Sequence, residues 1–186
     1  MRIDDYQAAC AITRHLIELG HRDIGFIRGD PKHTPSALRS RAFFDTMAAA
    51  GLAVAHARVA ESLFTYRSGL LAATALLHAA PRPTAILCSN DDMAAAAMAI
   101  AHGLRLPEDL SITGFDDTPV ATTIWPELTT IHQPVTAMGR AAATLLLAEI
   151  GQRRDGLPSR GIHQVMRYTL VSRVSSAPPA RNVAPP

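Results

Sequence analysis

The 186-residue sequence predicts an α/β protein, a three-layer αβα arrangement around a parallel sheet. Short β-branched and apolar runs at 24–27, 84–88 and 111–115 alternate with longer segments in which apolar residues recur at helical spacing. Consecutive strands separated by a helix pair in parallel through βαβ crossovers. Two of the runs also lead into carboxylates, Asp91 and Asp92 after 84–88, and Asp116 and Asp117 after 111–115. Ligands of open α/β sheets bind outside the carboxyl ends of the strands, so polar groups placed there mark where a small-molecule site belongs.

The first predicted element is a helix. Asp4 and Asp5 are N-cap candidates, Ala9, Ile12, Leu16, Ile17 and Leu19 follow at helical spacing from Tyr6 on, and Gly20 ends the run. No strand is predicted before it, although βαβ logic expects one. The strand at 24–27 stops at Arg28-Gly29-Asp30-Pro31, and Thr34-Pro35 opens a second helix running to Ala50 and Gly51. A short strand at 58–60 and a loop holding Phe64 precede a third helix, opened by Thr65 or Ser68 and closed before Pro81 and Pro83. After the strand at 84–88, Asn90 or Asp91 caps an alanine-rich helix ending at Gly103. Strands at 111–115 and 129–132 lead to a last helix, Val135 to Ile150, stopped by Gly151. Residues 165–174 are expected to add an edge strand, and the Pro/Ala/Ser-rich tail from Ser175 is expected to be disordered. The 135–150 helix carries Val135, Met138, Leu145, Leu146, Leu147 and Ile150 among alanines. A helix apolar round most of its circumference expects burial on more than one side.

Composition narrows the function classes. The formal net charge of +2 advertises neither nucleic acid nor an anionic membrane as the partner of this segment. No apolar run reaches the roughly 18 residues that span a bilayer, and Met1-Arg2-Ile3-Asp4-Asp5 lacks the apolar core of a signal peptide. The expected location is the cytoplasm, with Cys10 and Cys88 as buried free thiols. The 8 histidines show no metal-like spacing, so neither a metal nor a cofactor is expected. No Gly-x-Ser-x-Gly elbow, P-loop or Gly-x-Gly-x-x-Gly fingerprint occurs, and no catalytic residue is assigned.

The candidate binding chemistry lies at the strand ends. Asn90, Asp91, Asp116 and Asp117 suit the hydroxyls of a sugar or nucleoside, since each oxygen can accept from adjacent hydroxyls; the alternative is that they only cap a helix and start a turn. Arg39 and Arg41 can fork two hydroxyls, or can be solvated helix-face arginines. Phe64 can stack on a sugar or base, or anchor its loop in the core. Trp125 can be a lid or a packing residue.

The order of motifs resembles LacI/GalR-type transcriptional repressors across nearly the whole chain. The segments that carry the likeness are His15–Phe26 with its Gly20-His21 pair, Ser36, Arg39 and Phe43, Phe64-Thr65 with Gly69, and Arg82-Pro83-Thr84-Ala85. Asn90-Asp91-x-Met93-Ala94, Pro107-Glu108-Asp109-Leu110-Ser111, Gly114-Phe115-Asp116-Asp117, Pro126-x-Leu128-Thr129-Thr130 and Met138-Gly139 complete the set. The resemblance implies a type I periplasmic-binding-protein-like fold, two α/β lobes closing on a small-molecule effector. It implies that Arg39, Asn90 and Asp116 hydrogen-bond the effector, that Phe64 stacks on it, and that Asp4 and Gln133 lie near the cleft. It further implies a homodimer without membrane association, and operator DNA bound only through a helix-turn-helix head absent from this chain. Ala42 and Ala96 depart from the family, which usually has glycine there.

On this resemblance residues 1–22 belong with an otherwise missing first lobe. Residues 23–128 form the effector-binding second lobe, 129–157 a crossover strand and helix of the first, 158–174 an edge strand, and 175–186 a disordered tail. The expected function is effector sensing for a transcriptional regulator. The alternative is a solute-binding protein of a sugar transport system; a carbohydrate-active hydrolase and an inactive incomplete frame are further rivals.

Overall fold

Four parallel strands form the sheet, in the order β3-β2-β4-β5: β2 (Ile24–Arg28), β3 (Val59–Glu61), β4 (Ala85–Cys88) and β5 (Ser111–Thr113). This is a computed structural model, and it describes residues 1–155, 158 and 161–180. Strand parity decides which helices cover which face. Ile24, Phe26, Ala85 and Leu87 face α1 (Asp5–Glu18) and α2 (Thr34–Ala49) in one core, where Phe26 and Phe43 stack at 4.6 Å. Ile27, Ile86, Cys88 and Ile112 face α3 (Tyr66–His78) and α4 (Asp91–Ile100) in the other. The three-layer αβα expectation therefore holds. Cys10 and Cys88 are both buried free thiols, and burial pushes the Cys88 thiol up.

α1 packs on the sheet itself. Expected to belong with another lobe, it buries Ala8, Ala9, Ile12 and Leu16 in the same core as α2. It is also preceded by a strand, β1 (Arg2–Ile3), paired in parallel with β7 (Val165–Met166). Two residues are too few to show a strand period, so the sequence carried no signal for it.

After β5, a short α5 (Val120–Thr123) leads to β6 (Thr130–His132), which pairs antiparallel with β8 (Thr169–Val171). The single edge strand expected within 165–174 is thus two short strands in two different pairings. α6 (Val135–Arg154) runs through Gly151, where the sequence placed its stop, and none of its residues is buried. Glycine lowers helix propensity without forbidding the helix, and the Arg153–Glu149 pair lies across that turn.

The start of the expected disordered tail is instead a strap. Ser175 is buried: its N–H donates to Glu127 O (3.0 Å), Ile112 N donates to its carbonyl (2.9 Å), and its hydroxyl accepts from Thr129 N (2.8 Å) and donates to Ile112 O (2.6 Å). Further along, buried His21 reaches Ala177 O through Nε2 (2.9 Å) and Thr84 Oγ1 through Nδ1 (2.9 Å), which holds the strap against α1 and the sheet. Residues 181–186 of that expected tail lie outside the described residues, as do 156, 157, 159 and 160.

Candidate functional site

A cavity of about 590 Å³ opens at the carboxyl ends of the strands. The segment after β2 brings His33, Pro35 and Arg39 to it, and the loop after β3 brings Leu63 and Phe64. Asn90 comes from the end of β4, Asp116 from the end of β5 and Gln133 from the exit of β6. Met1, Arg2, Ile3, Asp5 and Met138 make the rest of the wall. Five of the six sequence-predicted residues, Arg39, Phe64, Asn90, Asp116 and Gln133, are thus brought together.

Asp4 is the exception. It is exposed, does not line the cavity, and caps α1 by accepting from Gln7 N at 3.0 Å. The carboxylate that reaches the cavity is Asp5. The signal for it was present: positions 5, 8, 9, 12 and 16 fall on one helical face, the face that α1 buries. His33, Pro35 and Leu63 were also missed: His33 and Leu63 lie outside helices and strands, where no period shows, and Pro35 read only as the opening of α2.

Arg39 organises the floor. Its Nε donates to Asp5 Oδ1 at 2.9 Å, Nη2 lies 2.8 Å from the same oxygen, and Nη1 donates to Ser89 O at 2.6 Å. Its guanidinium lies 3.6 Å from the Phe115 ring centroid. Buried charge is tolerated when paired and hydrogen-bonded in this way. Asp116 Oδ1 lies 3.6 Å from Arg39 Nη1, beyond a good hydrogen bond, so both groups keep capacity for a hydroxyl between them. Gln133 Nε2 donates to Asp116 Oδ1 at 2.5 Å. Burial pushes the Asp116 carboxyl up to about 6 against the opposing pull of Arg39 and Gln133.

Asn90 is committed on both sides of its amide. Oδ1 caps α4 by accepting from Met93 N (2.9 Å), and Nδ2 donates to Phe64 O (3.0 Å). That bond holds Phe64 in the left-handed region (φ 60°), with its ring against Gly29, where any Cβ would overlap it. The His33 ring lies nearly parallel, 6.0 Å away. Arg41 is not part of the site: it is exposed, pairs with Asp45 and lies over Tyr6. Trp125 is 81% exposed and outside the cavity lining, so it is not a packing residue in this structure. Among the described residues no group of His, Cys, Asp or Glu comes together to hold a metal ion, and no helix is long and apolar enough to cross a membrane.

The sequence profile of the periplasmic binding protein-like domain matches residues 13–176. The HTH-type transcriptional repressor PurR of Klebsiella pneumoniae is 37% identical over 160 residues, 85% of this chain and 47% of that protein. That of Haemophilus influenzae is 38% identical over 159 residues, 83% and 47%. The chain spans about half the length of these curated relatives. A LacI family transcriptional regulator from Mycobacterium smegmatis superposes with a TM-score of 0.83 at 32% identity, over 96% of this chain and 66% of that one. A transcriptional regulator CelR–cellobiose complex does so with a TM-score of 0.86 at 33% identity, over 94% and 53%. The chain belongs to the periplasmic binding protein-like domain family, in the form carried by LacI/GalR-type regulators.

Proposed function

We propose that this chain is the effector-binding part of a LacI/GalR-type transcriptional regulator, taking a sugar or nucleoside-like molecule in the cavity at its strand ends. The observation that carries the reading is the Asp5–Arg39–Asp116 arrangement beside Phe64. A guanidinium held by one carboxylate and spaced from another offers a donor and an acceptor to vicinal hydroxyls, while an aromatic face takes the apolar side of a ring. Gln133 completes the polar set from the strand that leaves the sheet. The cellobiose complex of a structural relative supports a sugar-class ligand. That the relatives are repressors favours regulation over transport and over catalysis.

In this reading the effector favours one arrangement of the lobes over another, and only its difference in affinity for the two shifts the equilibrium. Operator binding is the work of a helix-turn-helix head of a cytoplasmic homodimer, and no segment of this chain is proposed for it. The test is a thermal melt of the chain with a panel of monosaccharides, disaccharides and nucleosides. A saturable upward shift with one class, lost in Asp116→Ala, is the expected result. A cooperative melt that no member of the panel moves overturns the reading for this chain.

A further inference from the structure

One buried carboxylate behind the cavity has no part in the effector contacts described above. Asp91 is fully buried at the start of α4 and accepts from three donors. Thr130 Oγ1 lies 2.6 Å from its Oδ1, and Thr118 N and Oγ1 lie 2.7 and 3.2 Å from its Oδ2. These donors bracket the ligand-facing carboxylate. Thr118 follows Asp116 by two residues, and Thr130 lies on β6, which leads directly to the Gln133 amide that holds Asp116. The close approach needs glycine at 114, where a Cβ would lie 2.3 Å from Asp91 Oδ1.

Between the tied points, Asp116 (φ 111°) and Asp117 (φ 56°) adopt a backbone that side-chain-bearing residues rarely take. Such conformations persist where their surroundings over-determine them. The neighbours of Asp91 do related work: Ser89 O holds Arg39, and the Asn90 amide holds the Phe64 backbone. Three consecutive residues at the exit of β4 therefore each fix one ligand-facing group.

We propose that Asp91 is a positioning residue of the effector site, fixing the 116–118 backbone and β6 so that the Asp116 carboxylate faces the ligand. The proposal rests on the effector reading of the cavity. Asp116 is faced by Arg39 from α2, Asp5 from α1, Asp91 from α4 and Gln133 beyond β6; the two carboxylates oppose its ionisation, and Arg39 and Gln133 favour it. Next to it, Asp117 is paired with Arg173 and His132.

The experiment is a ligand-free pH titration of the Asp116 side-chain carbon by NMR in the full chain. Asp91→Asn is compared with wild type and with Asp92→Asn, a change at the exposed neighbour on the same helix turn. Removing the Asp91 charge and its hold on Thr118 lowers the Asp116 midpoint, while Asp92→Asn leaves it in place. A folded Asp91→Asn protein with a lower Tm and an unmoved midpoint overturns the proposal and leaves Asp91 a staple only. If Asp91→Asn does not fold, the isosteric Thr130→Val decides in the same titration. Without that donor Asp91 loses its tie to β6, so the Asp116 midpoint is expected to move, by less than in Asp91→Asn; an unmoved midpoint overturns the proposal. Because no ligand is needed, a failure of the effector reading shows separately, in the ligand panel.

Discussion

At the residue scale the site turns on Asp116. A carboxyl whose folded pKa is raised holds its proton more tightly in the native state than in the unfolded chain. The stability this brings is present below the ordinary carboxylate pKa and is lost as pH rises through about 6. Asp116→Asn is therefore expected to melt above wild type at pH 7.5, by on the order of 1–2 kcal/mol, and to lose that advantage near pH 4.5. Thermal melts at the two pH values check this. Ligand hydroxyls that donate to the carboxylate favour its ionised form, so affinity should fall as pH drops below 6. Local pattern placed Arg39, Asn90 and Asp116 at strand ends and helix starts but left them open between ligand contacts and cap, turn or helix-face residues; the resemblance in motif order singled them out. The choice between Asp4 and Asp5 was not settled by capping rules, because both residues can cap; the buried face of α1 settles it.

At the element scale the packing of α3 on α4 shows what a missing glycine means. Ala96 stands where the resemblance led to an expectation of glycine, and it is fully buried. The room is supplied by the other helix: a Cβ on Gly69 would lie 2.9 Å from Met93 Cα and 3.0 Å from Ala96 Cβ. Gly69→Ala must push the two helices apart, and is expected to cost about 1–3 kcal/mol in urea unfolding. Arg39, on α2 across the sheet, should keep its contacts with Asp5 and Ser89 O, while Phe64 and Asn90, at the starts of α3 and α4, move with those helices. The central strands and long helices were readable because their apolar runs or 3.6-residue period extend over several residues. Two- and three-residue strands such as β1 and β7 exist only through their partners, and pairing between residues 2 and 165 leaves no local trace.

At the scale of the whole molecule, the strap at 175–179 was the largest misreading. Its composition is that of a linker, yet Ser175 is bound through backbone and side chain at once. Composition reports whether a segment can build its own core; it is silent on whether another core offers unsatisfied hydrogen-bonding groups. Ser175→Ala leaves the buried Thr129 N–H without its acceptor, with an expected loss of about 1–3 kcal/mol in the chain's unfolding free energy. An unchanged denaturation midpoint would show the strap to be incidental. The opposite case is α6. With none of its residues buried, Leu146, Leu147 and Ile150 contribute almost nothing to the stability of the described residues. A mutational tolerance map of this chain by stability alone should therefore run permissive along α6 beyond Met138 and restrictive at the buried positions of the other helices. Under the homodimer reading proposed above, the leucines of α6 are legible only to a selection that scores association rather than folding.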